Sequence, residues 1–423
     1  MLWLYSVLLG LAALAAAPVA LFLSLRDPDL RRHWGERLGG APPFPEGSPS
    51  PVWIQAVSVG EVQVARRILE ELRKIQPGIP VLLSSTTPAG RRLSARSVPD
   101  GSRACFFPLD LPATIRRCLG RVRPRALVLV ETEIWPNLLR ECSRYGVPVI
   151  LAHGRISDRS FPRYRRIRAL VAPALEKMDL CCMQSQEDAG RILSLGARPG
   201  RIRVTGNMKW DLPAPGATAG EVRRDLGLPE ESPVLVAGST AEGEDEVVLK
   251  AWSALLDDFP DLRLVLAPRH PQRFEKVARL LAALGIPFAR RSGGPAGSSP
   301  VLLLDSVGEL RRVYGAGTVC FVGGSLGSRG GQNLMEPAAM GRPVLFGPRT
   351  ENFADAARSL LEAGAGFRIS DGDSLAAAAR RPLSDSAALE EAGKRGRELV
   401  SRNRGAAERT AGMIVRILQT PEG

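Results

Sequence analysis

The sequence predicts an α/β chain of two Rossmann-like domains behind an N-terminal transmembrane helix, and three observations carry that expectation. Its 423 residues exceed what one hydrophobic core supports, so two domains are the default. From Val52 onward, short apolar runs alternate with amphipathic stretches of helix length, the pattern of repeated β-α units that build a parallel sheet. Ahead of them, Leu2 to Leu25 reads LWLYSVLLGLAALAAAPVALFLSL, without one charge.

At a rise of about 1.5 Å per residue, that run can span a hydrocarbon core of about 30 Å. A cleaved signal peptide is the competing reading, but no Lys or Arg precedes the run and its length exceeds the usual apolar region of such a peptide. Arg26, Arg31, Arg32 and Arg37 follow it, so the positive-inside rule leaves the body in the cytoplasm, on a single-pass anchor in the inner membrane. Residues 1–25 are therefore read as the anchor and residues 26–51 as a juxtamembrane linker, which includes the Pro-, Gly- and Ser-rich stretch from Pro42 to Pro51.

Residues 52–210 carry the candidate strands VWIQAV, IPVLLSS, ALVLV, VPVILA, LCCMQ and IRVT, one Rossmann-like half. Residues 211–232 open on DLPAPGATA, rich in Pro and poor in periodicity, and are read as the interdomain linker. Residues 233–423 repeat the architecture with PVLVAGS, LRLVLAP, VLLLD, TVCFVGG and PVLFG, with helices from Glu244 to Leu256 and Pro271 to Leu284. The last helix is a candidate to pack back on the first domain. Two such domains facing across a cleft would hold ligands beyond the carboxyl ends of their strands, where loops and helix N-termini converge.

A net charge of +13 implies attraction to polyanions: nucleic acid, an anionic membrane surface or phosphorylated substrates. No aromatic-interleaved basic run or nucleic-acid module occurs, so nucleic acid is not an expected partner. Cys105, Cys118, Cys142, Cys181, Cys182 and Cys320 form no CxxC pair and have no His at metal-ligand spacing, and so read as reduced core residues.

Several motifs follow strands. SVGE (58–61) opens a helix after VWIQAV; Gly60 permits the tight turn, and Glu61 lands in the first helical turn, where a carboxylate serves either as a general base or as a partner of the helix dipole. ETEIWPN (131–137) sets two carboxylates and Trp135 beside the end of ALVLV, suited to acceptor hydroxyls and a sugar face, or to capping. GSTAEGEDE (238–246) brings small residues and helix N–H donors to where phosphate could bind, although it is no Walker A motif. LAPRH places Arg269 directly after another strand. GGSLGSRGGQNLMEPAAMGRPVLFGP (323–348) is a glycine-rich loop into which a nucleotide's sugar and phosphate could press, with Glu336 one turn into the next helix, able to accept both ribose hydroxyls.

Taken in order, WIQAVSVGE, ETEIWPN, HGRISDRSF, VTGNMKWD, VAGSTAEGEDE, LAPRHPQRF, the long glycine block and the N-terminal anchor resemble the 3-deoxy-D-manno-octulosonic acid (Kdo) transferase family of lipopolysaccharide biosynthesis over almost the whole chain. The resemblance implies a GT-B fold, CMP-Kdo as donor, a lipid A precursor as acceptor, inversion at the anomeric carbon, and neither metal nor cofactor. It makes Glu61 the general base and assigns acceptor-side support to Glu131 or Glu133, with Glu133 preferred. Arg269, Gly308, Leu310, Asn333 and Glu336 take the nucleotide, and Lys209 is a partner for phosphate or carboxylate. The anionic inner leaflet is the implied membrane partner. Three positions depart from the pattern: Gln55, Ala241 and Gln332 stand where the family commonly has His, so histidine proton transfer is not expected there. The alternatives are another GT-B enzyme acting on a UDP-sugar, as transferase or epimerase, and a non-catalytic membrane scaffold of the same fold.

Overall fold

The computed structural model describes residues 2–26, 31, 33–212 and 216–419. The chain divides into two compact units, Met1–Asp211 with Arg404–Gly423, and Leu212–Asn403. Each holds a seven-stranded sheet in which every pairing is parallel.

The strands of the first unit are β1 (Val52–Gln55), β2 (Val81–Ser85), β3 (Arg103–Phe106), β4 (Ala126–Val130), β5 (Val149–Gly154), β6 (Leu180–Met183) and β7 (Ile202–Val204). Their order is β3-β2-β1-β4-β5-β6-β7, so the winding reverses between β1 and β4. Alternation along the strands feeds two apolar layers. Trp53, Leu127, Leu129, Val149 and Leu151 face one layer. Val52, Ile54, Val128, Val130, Ile150 and Ala152 face the other. Strands buried on both faces have to be apolar throughout, which is why they stood out in the sequence.

In the second unit, β8 (Val234–Thr240), β9 (Arg263–Pro268), β10 (Phe288–Arg290), β11 (Val301–Leu303), β12 (Val319–Val322), β13 (Val344–Phe346) and β14 (Gly366–Arg368) run in the order β10-β11-β9-β8-β12-β13-β14. Here the reversal lies between β8 and β12. The sequence missed β3, β10 and β14, which are three or four residues long and lie at sheet edges, where one-sided cover removes the continuous apolar run.

Part of the stretch read as linker is helical. Ala219–Leu226 starts with a capping box between Thr218 and Glu221, and the Arg223 guanidinium bonds the carbonyls of Glu230 (2.6 Å), Ser232 (3.0 Å) and Ala316 (3.0 Å), fixing the helix in the second unit. Residues 213–215 of that linker, and residues 27–30 and 32 of the juxtamembrane stretch, lie outside the described residues.

The final helix, Ala406–Gln419, belongs to the first unit, where Ala411, Ile414, Val415 and Leu418 pack with Ile68 and Leu72 of the helix Val59–Ile75. The chain re-enters beside the point where it left. Asp211 accepts the backbone N–H groups of Gly405 (2.6 Å), Ala406 (3.2 Å) and Ala407 (2.7 Å), donors that a helix start cannot satisfy internally. Asp211→Ala should therefore cost about 1–2 kcal/mol, read as a lower denaturation midpoint of the purified chain; an unchanged midpoint would contradict the capping.

Candidate active site

In both sheets, motifs singled out in the sequence follow the carboxyl ends of strands, several of them at the strands that flank the reversal, the position where open parallel sheets bind ligands. Ser58 to Glu61 follow β1 and Glu131 to Trp135 follow β4, adjacent strands in register from Val52 opposite Ala126 to Gln55 opposite Leu129. Gly238 to Thr240 end β8 and the glycine-rich loop follows β12, again adjacent.

Glu61 is tied into the start of its helix. Ser58 is the N-cap, Glu61 Oε2 accepts the Val57 N–H at 2.7 Å, and Oε1 accepts the Ser58 hydroxyl at 3.0 Å. The side chain thus serves the helix start that the sequence offered as the alternative to catalysis. The carboxylate is 9% exposed. Burial raises its pKa above the ordinary 4.5, the Val57 N–H opposes that rise, and the charge of Glu131 adds to it.

Glu131 takes left-handed backbone at φ 62°, and His153, at the end of the neighbouring β5, does the same at φ 57°. Non-glycine residues held this way cost on the order of 1 kcal/mol or more and collect at functional sites. The loops are laced together: Glu131 N–H donates to Ala152 O at 2.9 Å, Arg155 N–H donates to Thr132 Oγ1 at 3.1 Å, and the Thr132 hydroxyl returns a bond to Arg155 O. Burial raises the Glu131 pKa while the positive charges of Lys209 and Arg155 lower it. Burial, followed by the negative charge of Glu61, pushes Glu133 up to about 8, so this carboxyl is protonated at neutral pH. Lys209, in the short turn Met208–Trp210 after β7, stands within the field of Glu131 in the first unit.

His153, not singled out by residue in the sequence, completes this constellation. Burial, aided by Lys209, Arg67 and Arg155, holds its pKa down at about 3. Its Nδ1 accepts the Met208 N–H at 3.4 Å, which leaves the proton on Nε2, and Nε2 is buried without a partner.

In the second unit, Arg269 follows β9, Gly308 and Leu310 follow β11, and Asn333 and Glu336 follow β12. Asn333 Oδ1 accepts the Met335 N–H at 3.1 Å just ahead of the helix Met335–Ala339, and its amide donates to Glu336 Oε1 at 3.1 Å. Gly308 adopts φ 94° two residues before Leu310 opens its helix. Arg269 Nε donates to Gln332 Oε1 at 3.0 Å, so the residue at one of the three atypical positions holds this arginine beside the loop. Gln55 is buried, and its amide donates to the Thr86 hydroxyl at 3.3 Å.

The glycine-rich loop is organised differently from the open phosphate cradle that the sequence suggested. Glu244, 2% exposed, accepts the N–H groups of Ala241 (2.7 Å), Gly324 (2.6 Å), Ser325 (2.9 Å) and Leu326 (2.8 Å). These donors are spent on an internal carboxylate, which locks the loops after β8 and β12 together. Gly323 is glycine because a Cβ there would meet Glu244 Oε2, Ser239 O and Thr240 Cα at 2.6 Å each. In the sequence, Glu244 was marked only as the start of a helix. Among the described residues, no group of three or more His, Cys, Asp or Glu is arranged to hold a metal ion. All six cysteines are free and buried.

Glu244→Ala would strand four N–H groups at about 1–3 kcal/mol each before relaxation, so a loss of about 2–4 kcal/mol with weakened nucleotide binding is expected; a near-neutral effect would contradict the locking role. Glu133 has a folded pKa near 8 against an ordinary 4.5, so between those values the fold holds a proton that the unfolded chain has released, and stability falls as pH rises through the window. Glu133→Gln should lose less stability than the parent between pH 5 and pH 9, measured by denaturant titration; parallel pH profiles would mean that Glu133 is ionised in the fold.

The family model for 3-deoxy-D-manno-octulosonic-acid transferase (kdotransferase) matches residues 32–212. A 3-deoxy-D-manno-octulosonic acid transferase of Haemophilus influenzae is 35% identical over 404 residues, 93% of each chain. One of Bordetella pertussis is 37% identical over 385 residues, 88% of each. Among solved structures, a glycosyltransferase of Rickettsia africae matches with a TM-score of 0.59 over 88% of this chain and 100% of its own, at 13% identity, a likeness of fold alone that agrees with the expected GT-B class. Identity of this extent along nearly the full length, with the motifs gathered at the strand ends of both sheets, places the chain in the Kdo transferase family.

Proposed function

We propose that this chain transfers Kdo from CMP-Kdo to a hydroxyl of a lipid A precursor, with inversion, in lipopolysaccharide core biosynthesis. The observation that carries this reading is Glu61, a carboxylate made more basic by burial at the carboxyl end of β1, in a chain 35% identical to a Kdo transferase over 93% of its length. Glu61 accepts the proton of the acceptor hydroxyl as its oxygen bonds to the ketosidic carbon of Kdo. The bond from that carbon to the CMP phosphate breaks with its electron pair going to the departing phosphate oxygen. General-base assistance of this kind is worth roughly 10²–10⁴ in rate.

Glu133 supports the acceptor side as a protonated carboxyl: it can donate a hydrogen bond to an acceptor oxygen without placing another negative charge beside an anionic lipid. Glu131 stays closer to ionised because Lys209 and Arg155 face it. In the second unit Glu336 takes the ribose hydroxyls, Arg269 and the backbone at Gly308 and Leu310 hold the nucleotide, and Asn333 fixes Glu336. Lys209 is a partner for the donor's carboxylate or phosphate. The uncharged N-terminal helix attaches the enzyme to the inner membrane with both units in the cytoplasm, where basic side chains near anionic headgroups contribute about 1 kcal/mol each.

Incubation with CMP-Kdo and a tetra-acylated lipid A precursor, followed by mass analysis, should give the Kdo adduct; turnover of UDP-sugars in its place would remove the assignment. Glu61→Gln keeps an acceptor for the Val57 N–H, so it should fold and bind CMP like the parent while turnover falls by roughly 10²–10⁴. Retained turnover would take the general-base role from Glu61.

A further inference from the structure

The stretch from Arg155 to Arg168 carries six arginines in fourteen residues and a single acid, Asp158. Its short helix, Phe161–Arg166, follows β5 and packs Phe161 and Tyr164, three positions apart, against the core of the first unit. The arginines are left outside: Arg155, Arg159, Arg163, Arg165, Arg166 and Arg168 are all exposed. Several arginines elsewhere in this unit sit against carboxylates, as Arg201 does with Asp179 at 2.7 Å and Arg91 with Glu36 at 3.3 Å. Here the one acid is already taken, because Asp158 is held by Arg191. Among the described residues, none pairs with the guanidinium of Arg159, Arg163, Arg165 or Arg166. Arg163 and Arg166, one helical turn apart, repel each other, and an anion brought from outside would relieve that repulsion.

The patch is bound to the loop that carries the acceptor-side carboxyls. Tyr164 donates its hydroxyl to Thr132 O at 3.4 Å. Thr132 is bonded in both directions to the backbone of Arg155, whose positive charge acts on Glu131. The negative charge of Glu133, in the same loop, bears on the Tyr164 hydroxyl. An anion held by these arginines therefore lies beside the residues assigned to the acceptor. Guanidinium planes match phosphate oxygens two at a time, and several together suit a group with more than one negative charge. Bilayer headgroups can be met by basic side chains anywhere on a membrane-facing surface. These arginines are tied to the acceptor loop, which favours the acceptor itself as the source of the phosphate.

We infer that Arg159, Arg163, Arg165 and Arg166 form a phosphate-binding surface for the acceptor, holding phosphate groups on the sugar headgroup of the lipid A precursor while its hydroxyl lies at the strand ends. The inference rests on the transfer proposed above and names the part of the acceptor that this surface recognises. Ile167, 50% exposed among the arginines, offers an apolar contact to the adjoining acyl chains.

The test compares the full chain with a variant carrying Arg159→Gln, Arg163→Gln, Arg165→Gln and Arg166→Gln, in nonionic detergent micelles free of phospholipid. Both are given CMP-Kdo and the lipid A precursor, before and after its phosphates are removed with phosphatase. The four side chains are exposed and unpaired, so the variant should keep the parent's denaturation midpoint. On the phosphorylated acceptor its KM should rise about tenfold, with the KM for CMP-Kdo unchanged. On the dephosphorylated acceptor the parent should show the same raised KM as the variant. Equal KM values on the phosphorylated acceptor, or an equal rise on both acceptors, would overturn the inference. A difference that arises only when anionic phospholipid is added would give the patch to the bilayer surface and overturn it as well. Absence of transfer by the parent would instead remove the function proposed above, and this surface with it.

Discussion

The reversal of strand order between β1 and β4 forces two helix starts and their acidic residues to share one partly desolvated volume. Glu61, Glu131 and Glu133 cannot all carry a charge there, because burial penalises each anion and each raises the cost of the next. The conflict is resolved unequally. Lys209 and Arg155 stabilise charge on Glu131, whereas Glu133 has the charge of Glu61 against it and keeps its proton. The carboxyl groups are thus set apart by their neighbours, Glu131 by two positive charges and Glu133 by two negative ones.

The second sheet handles its reversal with the opposite economy. There the acid, Glu244, faces inward and takes four backbone N–H groups, so the glycine-rich loop is rigid before any ligand arrives. Beside it, Arg269 is held by Gln332 and Glu336 by Asn333. Preorganisation of this kind spares the entropy of ordering a loop around its substrate.

The central strands were legible because burial on two faces writes a continuous apolar run, and Arg269 because it directly follows one. The edge strands β3, β10 and β14 were not, since covering one face of a three- or four-residue strand leaves too little pattern. Glu244 and Asp110 were equally hidden. Their importance lies in backbone donors contributed by residues about 80 and 28 positions away, as in Glu244 with Leu326 and Asp110 with Leu138, which no local spacing records. His153 appeared within a motif, but its left-handed backbone and partnerless Nε2 required the fold.

Side-chain carboxyl carbon-13 NMR of glutamate-labelled protein, with Glu133→Gln used to assign the resonance, reads the protonation of this site directly. The Glu133 carboxyl should remain protonated at pH 7 and titrate near 8. A resonance already fully ionised at pH 6 would mean that water reaches the group, and that the three carboxylates do not share a desolvated volume at the strand ends.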